Sequence, residues 1–208
     1  MQQRLLLIED IAAISYKVLG NYAPEIYVGD KLLCGYFDAK KREGQRIRLN
    51  AASLRGELEI GGRSSTDGKY IVLSLNFENH YVKEMLYHEL IHSGQFQHKP
   101  SKDFWDSKIS KENLEKLEKF ILLNQTHANV EEAHYKGILH ETLAHVGQIF
   151  GRYADYPKVP KLPGYLDIID SYVRGEFANK EGKTIAPFVF DLDTGQPFPL
   201  SLLPVTNP

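Results

Sequence analysis

The sequence contains a single cysteine, Cys34, among its 208 residues. One thiol excludes an internal disulfide bond, and it also excludes zinc sites built on paired cysteines, such as CxxC ribbons. Any metal ion bound within this chain must therefore be held by histidine and carboxylate side chains. Both are plentiful, since the chain has 8 histidines and 27 aspartates and glutamates.

The chain also lacks an excess of charge of either sign, and it lacks a long apolar segment. Its formal net charge is -2, which disfavours nucleic acid and anionic membranes as partners. No apolar run approaches the roughly 20 residues of a membrane span. Glu9 and Asp10 interrupt the apolar N-terminal stretch where a signal peptide would have its core. We therefore expect a cytoplasmic protein without a membrane anchor, although export without a cleaved signal would leave no trace in the sequence.

Hydrophobic periodicity divides the chain into a half with strands and a half with helices. Helical spacing predicts a first helix over residues 4 to 19. Short strands are then predicted at EIYVG, KLLCGYFDA, QRIRLNA, GELEIGG and YIVLSLNF. A helix is predicted from Asn79 through His92 and further, and two more are predicted in KENLEKLEKFILLNQ and VEEAHYKGILHETLAHVGQIFGRYADY. A last short strand is expected at FVFDLD.

This order of elements predicts one α+β domain over residues 1–208. Residues 1–98 would form a sheet lobe that includes the helix beginning at Asn79, and residues 99–208 a mainly helical lobe with a Pro-rich tail. The tail, DTGQPFPLSLLPVTNP, is too apolar to remain free, so we expect it to pack on the domain. A cleft between two such lobes is a natural place for an active site.

The stretch YHELIHSGQFQH, residues 87–98, carries the pattern HExxH. Residues four apart lie on one face of a helix, so His88 and His92 can bind one metal ion through their imidazoles. Glu89 lies about 100° around the helix, where its carboxylate can reach water at that ion without binding the ion itself. Neutral imidazoles suit zinc, which lowers the pKa of bound water to about 7. The pattern thus predicts a catalytic zinc site with Glu89 as general base.

Apolar residues around the motif favour this interpretation over a surface helix with coincidental histidines. Leu90 and Ile91 fill both x positions of HExxH. Val82, Leu86 and Leu90 form a separate stripe at helical spacing, which would bury the helix beneath the site.

In the motif His88-Glu89-Leu90-Ile91-His92 the chain resembles the zincin metallopeptidases. The resemblance implies a twisted, mostly antiparallel sheet above an active-site helix, with an edge strand that binds substrate in extended form. YIVLSLNF is the segment that we expect at this edge. The resemblance also implies hydrolysis of peptide bonds in a protein or peptide substrate.

A catalytic zinc site needs a third protein ligand, and one candidate is His98. It lies ten residues after His88, the offset found in the HExxHxxGxxH motif of metzincins, but Gly94 comes one position too early for that motif. On a continuous helix His98 would point about 80° away from His88 and lie some three turns along. It can therefore bind only if the chain turns back at Gly94. The stretch is also similar to the SprT-like proteases, without their HGxxF spacing and without a zinc ribbon.

The other candidate is Glu141, 49 residues beyond His92 in LHETLAHVGQIFGRY, with His145 four residues later on the same helical face. This resembles the gluzincin arrangement, in which a glutamate from a second helix completes the site. It is also similar to the ExxAxxxxxxY pattern of lethal-factor-like and anti-restriction-associated metallopeptidases. In those families an Asp or Glu stands where this chain has His145, so His145 is either a supporting hydrogen-bond partner or itself a ligand. We expect Glu141 as the third ligand, with His98 and His145 as the alternatives.

A zinc peptidase also benefits from a hydrogen-bond donor to the oxyanion of its transition state. Candidates close to Glu141 in the sequence are Tyr153, His134, Tyr135 and Tyr156, of which we expect Tyr153. The sequence thus predicts a zinc-dependent endopeptidase. Two other hypotheses are a zincin fold that binds metal or a partner without turnover, and a SprT-like protease acting on DNA-bound proteins. A shell of four protein ligands would indicate a structural metal, and a shell of three a catalytic one.

Overall fold

The computed structural model describes residues 2–19, 23–29, 62–65, 68–98, 110–124, 137, 139–153, 189–192 and 194–200. Its helices are α1 (Gln2–Leu19), α2 (Asn79–His98), α3 (Lys111–Asn124) and α4 (Leu139–Tyr153). Its strands are β1 (Glu25–Gly29), β2 (Gly62–Ser64), β3 (Tyr70–Ser74) and β4 (Val189–Asp191). The predicted strands KLLCGYFDA and QRIRLNA, and most of GELEIGG, lie outside the described residues.

The predicted helices are confirmed where the structure describes them, except at the start of the last one: Gly137, inside the predicted helix, is a turn residue with a φ of 74°, and α4 begins only at Leu139. The segment expected to be helical from residue 4 forms α1, and the segment expected from Asn79 forms α2, which runs without a break to His98. The backbone carbonyl of Glu78 accepts the first hydrogen bonds of α2, from the amides of Tyr81 and Val82. None of the helices in this part of the chain is both long and apolar enough to cross a membrane.

The four described strands form one mixed sheet in the order β2-β3-β1-β4. Strand β1 pairs in parallel with β3 and with β4, and only β2 and β3 run antiparallel. The expectation of a mostly antiparallel sheet is therefore wrong for these strands. The physical reason is the length of the connections: β1 is joined to β3 by 40 residues, 30–69, and β3 to β4 by a segment whose described part includes the helices α2, α3 and α4. Connections of a dozen residues or more allow strands to pair in parallel.

The expectation that YIVLSLNF forms the sheet edge is also wrong among the described strands. Its strand, β3, lies between β2 and β1, and every residue of Tyr70–Ser74 is buried. Burial on both faces is typical of an interior strand. The edges of the described sheet are instead β2, which packs on α2, and β4.

The core lies between the sheet and the helices. The predicted stripe of Val82, Leu86 and Leu90 is fully buried, and it belongs to one cluster with Ile11 of α1 and Leu73 of β3. Burial of each such leucine or isoleucine contributes about 1.5–3 kcal/mol to folding. The stripe thus fixes α2 beneath the sheet, with the opposite side of the helix directed to the site described below.

Two further contacts attach outlying segments to this core. In the tail, Phe198 and Leu200 are partly buried against the core cluster, as the sequence predicts. The turn between β2 and β3 is held on α2, because the carbonyl oxygen of Gly68 accepts hydrogen bonds from Oγ of Ser93 and, at 2.8 Å, from Nε2 of Gln97. The short strand β2 is therefore held in place over α2.

Candidate metal centre

Helix α2 presents two imidazoles side by side. Nε2 of His88 lies 3.1 Å from Nε2 of His92, and the two rings are nearly perpendicular, with an interplanar angle of 77°. Both side chains are largely shielded from solvent, with 14% and 9% of their surfaces exposed. This arrangement follows from the i, i+4 spacing alone, since such residues lie one above the other on a helix.

Helix α4 brings the carboxylate of Glu141 to these two rings. Oε2 of Glu141 lies 3.3 Å from Nε2 of His92 and 3.7 Å from Nε2 of His88. The two helices approach closely at Gly147, where a Cβ atom would lie only 2.6 Å from Cγ1 of Ile91. A residue without a side chain at this crossing allows the first turn of α4 to reach α2.

The three ligand atoms have the spacing of a tetrahedral zinc site. Zinc binds histidine nitrogen and carboxylate oxygen at about 2.0–2.2 Å, so two ligand atoms of a tetrahedron are separated by about 3.3–3.5 Å. The distances among Nε2 of His88, Nε2 of His92 and Oε2 of Glu141 are 3.1, 3.3 and 3.7 Å. Two imidazoles and a carboxylate are also a donor set that suits zinc. The residues present therefore fit a zinc ion in both geometry and chemistry.

His145 also lies beside this group. One ligand atom each from His88, Glu141 and His145 fall within 4.8 Å of one another, so these residues could also hold a metal ion together. The rings of His145 and His88 pack edge to face, with centroids 4.6 Å apart. The second carboxylate oxygen of Glu141 lies 3.5 Å from Nε2 of His140, whose side chain is 57% exposed.

The surroundings favour a neutral His88 beside an ionised Glu141. Burial, followed by the charges of His92 and His145, holds the pKa of His88 well below its ordinary value of 6.5, with the side chain of Gln148 as a smaller opposing influence. Burial alone would raise the pKa of Glu141, but the hydrogen bond and the charges of the neighbouring histidines lower it below 4.5. Both groups are thus in the protonation state that a metal ligand needs at neutral pH.

His92 behaves differently from His88. Burial opposes a charge on its ring, but the hydrogen bond with Glu141, the charges of Glu89 and Glu141, and a hydrogen bond with Gln95 together raise its pKa above 6.5. In the absence of metal, His92 therefore keeps its proton, and its pairing with Glu141 as a cation, to a higher pH than an ordinary histidine. A metal ion at this position would take the place of that proton.

Glu89 lies on α2 next to His88 but outside the group of ligand atoms. Its side chain is 8% exposed. A Cβ atom at Gly62, the first residue of the edge strand β2, would lie 3.1 Å from Cγ of Glu89 and 2.9 Å from Cδ2 of Leu73. The glycine therefore lets the edge strand pass directly beside the carboxylate.

The structure does not describe the side chains of the remaining predicted site residues. Helix α2 continues through Gly94 without the turn that a His98 ligand requires, and the side chain of His98 lies outside the described part. Tyr153 ends α4, twelve residues after Glu141, which corresponds to a rise of about 18 Å along a helix. Its side chain also lies outside the described part, so its oxyanion role stays a prediction. The other donor candidates, His134, Tyr135 and Tyr156, lie outside the described residues altogether.

Three residues at this centre were missed by the analysis of the sequence. Gln95 hydrogen-bonds to Nδ1 of His92 at 3.0 Å, and its position three residues after His92 on the helix was a usable signal. Gly62 and Gly147 are needed for close approach, and no sequence pattern marks a glycine that is required by a distant segment.

Comparison of the chain with models of protein families, with characterised proteins and with solved structures finds no match. The site must therefore be interpreted from its own geometry.

Proposed function

We propose that this protein is a zinc-dependent peptidase of gluzincin type, which hydrolyses peptide bonds in a protein or peptide substrate. The observation that carries the proposal is the triangle of ligand atoms from His88, His92 and Glu141, whose sides of 3.1, 3.3 and 3.7 Å suit tetrahedral zinc. Two of these residues belong to an HExxH motif and the third comes from a second helix. This is the combination that the resemblance to gluzincins implies.

His88, His92 and Glu141 would hold the ion. Three protein ligands correspond to a catalytic zinc site, since structural sites use four. Bound zinc supplies a Lewis acid that polarises a carbonyl group and lowers the pKa of water to about 7. Glu141 contributes a negative charge to the ligand set, and the low pKa values of His88 and Glu141 keep both ready to bind at neutral pH.

Glu89 would act as general base. Its carboxylate takes a proton from the attacking water and passes it to the departing amine as the peptide C–N bond breaks. Strand β2, an edge strand among those that the structure describes, runs beside this carboxylate, and a strand edge can bind an extended peptide through main-chain hydrogen bonds. A substrate paired with β2 would present its backbone carbonyl next to Glu89.

The experiment that tests the proposal compares the wild type with Glu89→Gln. We expect about one zinc per chain in both proteins, as measured by atomic absorption, and cleavage of an unfolded protein substrate only by the wild type. The matched control is Glu78→Gln, which neutralises an exposed glutamate just before the same helix and leaves cleavage unchanged. Proteolysis by Glu89→Gln at the wild-type rate would overturn the role of this base, and absence of zinc binding by the wild type would overturn the site.

A second candidate function is metal binding without turnover. The observation that favours it is His145, which has a ligand atom within 4.8 Å of those of His88 and Glu141. If His145 joined the other three residues, the metal would have four protein ligands, which is typical of a structural site. X-ray absorption at the zinc edge distinguishes the two functions. Three histidine ligands would indicate a structural site, and two histidines with a water oxygen would indicate the peptidase.

A further inference from the structure

The side chain of Gln95 links the two helices that carry the metal-binding residues. Its Oε1 lies 3.0 Å from Nδ1 of His92, and its Nε2 donates a hydrogen bond of 3.3 Å to the backbone carbonyl of His140. We infer that Gln95 is a positioning residue that fixes the tautomer of His92 and holds the start of α4 against α2. This inference rests on the zinc site proposed above and adds a residue to it.

The contact with His140 determines which way the amide of Gln95 points. A backbone carbonyl accepts hydrogen bonds and cannot donate, so the NH₂ group of Gln95 must face the carbonyl of His140. The reverse orientation would place two oxygen atoms against each other at 3.3 Å. The oxygen of the amide is therefore directed to His92.

The orientation of the amide in turn determines the tautomer of His92. An amide oxygen only accepts, so Nδ1 of His92 must carry the hydrogen. In a neutral ring the lone pair then lies on Nε2, which is the atom that faces His88 and Glu141. A metal ion needs that lone pair, so the hydrogen bond from Nδ1 prepares the ring for binding.

The same side chain acts on the third ligand through the backbone. His140 immediately precedes Glu141 in the first turn of α4, 45 residues beyond Gln95. Holding the carbonyl of His140 therefore limits the movement of Glu141 relative to α2. Gln95 is buried, with 9% of its surface exposed, so water does not readily replace either hydrogen bond.

Of the two histidines in the HExxH motif, only His92 has its Nδ1 hydrogen-bonded within the part of the chain that the structure describes. Nδ1 of His88 is buried and has no hydrogen-bond partner there. Among the described residues, Gln95 is therefore the partner that fixes Nδ1 within the HExxH pair, whereas the side chain of Gln148 hydrogen-bonds to the ring of His88.

The experiment uses three variants of the full chain. Gln95→Leu removes both hydrogen bonds at similar volume. Gln95→Glu keeps an acceptor for Nδ1 of His92 but loses the donor to His140. Gln97→Leu is the matched control, because Gln97 lies on the same helix but binds Gly68 and Ser93 rather than the metal centre.

Two measurements separate positioning from a general effect on folding. Competition with a chelator gives the zinc Kd, and we expect Gln95→Leu to weaken zinc binding 10- to 100-fold, the usual cost of losing an outer hydrogen bond to a ligand. Gln97→Leu should leave the Kd within about twofold of the wild type, since it touches no ligand. Nitrogen-15 NMR of the zinc-free protein at alkaline pH reports the ring tautomer, and it is measured in the Glu141→Ala background so that no carboxylate competes for a hydrogen on Nε2 of His92. In that background the Nδ1–H form of His92 should dominate with Gln95 in place and in Gln95→Glu, and a mixture should appear in Gln95→Leu.

The outcomes decide the inference separately from the proposed function. A folded Gln95→Leu protein with an unchanged zinc Kd, or with His92 still held in the Nδ1–H form, overturns the role of Gln95. If the wild type binds no zinc, the peptidase proposal fails, but the tautomer measurement still tests whether Gln95 orients His92.

Discussion

Oε2 of Glu141 lies 3.3 Å from Nε2 of His92, although 49 residues separate the two in the chain. The contact joins helices α2 and α4, and the same carboxylate oxygen lies 3.7 Å from Nε2 of His88. The consequences of this contact can be measured in several independent ways.

Neutralising Glu141 should weaken zinc binding more than any change outside the ligand set. Glu141→Gln keeps the shape of the side chain but removes the negative charge, and we expect the zinc Kd to rise by more than about 100-fold, beyond the usual cost of losing an outer partner. Chelator competition measures the change. The control is His140→Gln, which alters the exposed histidine 3.5 Å from the other carboxylate oxygen and should change the Kd less than fivefold, about 1 kcal/mol. Equal effects of both variants would contradict the assignment of Glu141 as a ligand.

Replacing His145 should distinguish three protein ligands from four. His145→Phe keeps an aromatic ring against His88, where the ring centroids lie 4.6 Å apart, but removes both nitrogens. If His88, His92 and Glu141 hold the ion, zinc binding should weaken less than about tenfold and catalysis should persist, because His145 then acts outside the ligand set. A loss of zinc comparable with that of Glu141→Gln would instead identify His145 as a ligand.

The approach of the two helices should depend on Gly147. In Gly147→Ala the new methyl group would lie 2.6 Å from Cγ1 of Ile91, so the helices must separate at their crossing. We expect the free energy of unfolding to fall by about 1–3 kcal/mol, the usual cost of overpacking, together with weaker zinc binding. Chemical denaturation measures the first effect and chelator competition the second.

A double variant provides the control for this prediction. Ile91→Ala removes the atoms that the new methyl group would meet, so Ile91→Ala/Gly147→Ala should be less destabilised than the sum of the two single variants. The difference should reach about 0.5–3 kcal/mol, the range found for residues in contact. Strict additivity would show that the two residues do not meet at the helix crossing.

Zinc binding should release about one proton near pH 6.5, and not two. The pKa of His88 is held well below 6.5 by burial, so this ring is already neutral, whereas the pKa of His92 is raised above 6.5 and its proton must leave. Zinc affinity should therefore rise by about tenfold per pH unit up to the pKa of His92 and then level off. Calorimetric titration in buffers of different ionisation enthalpy counts the protons.

The stability of the zinc-free protein should fall as the pH rises through the same range, whereas zinc affinity rises. Because the pKa of His92 is higher in the folded than in the unfolded protein, its pairing with Glu141 stabilises fully below pH 6.5. This stabilisation is lost as the pH rises through the raised value. Thermal unfolding with and without zinc, measured across this range, should therefore give Tm values whose difference widens as the pH increases. A constant difference would contradict the assigned shift.

A side chain at Gly62 should impair catalysis more than metal binding. In Gly62→Ala the Cβ atom would lie 2.9 Å from Cδ2 of Leu73 and 3.1 Å from Cγ of Glu89, so it should displace the proposed general base but none of the three proposed ligands. Complete loss of a positioned general base lowers kcat by about 10²-fold or more. Because Gly62→Ala would displace the base without removing it, we expect kcat to fall at least about tenfold, with the zinc Kd unchanged. Gly29→Ala, whose Cβ would lie 3.2 Å from Leu192 in the same sheet, is the control for general strand crowding and should keep its kcat.

The parts of the fold that the sequence predicts well are those governed by local spacing. The helices α1 and α2, the buried stripe of Leu86 and Leu90, and the strand at YIVLS all follow from periodicities of 3.6 and 2 residues. The relative direction of paired strands does not follow from these periodicities, because a sequence pattern shows which faces of a strand are buried and not which neighbour the strand pairs with. The parallel pairing of β1 with β3 was missed for this reason.

At the site, the sequence by itself determined the spacing of His88 and His92 and the position of Glu89 beside them, because one turn of helix fixes all three. Only the tertiary structure shows that Glu141 and His145 both lie beside this pair. Because α2 continues through Gly94, the backbone at His98 lies further along the helix from His88 and His92. Because α4 packs on Ile91, the carboxylate of Glu141 lies 3.3 Å from Nε2 of His92. The tautomer of His92 was likewise decided by a hydrogen-bonded path to His140. Contacts between segments tens of residues apart depend on how complete surfaces fit together, and no local pattern encodes that fit.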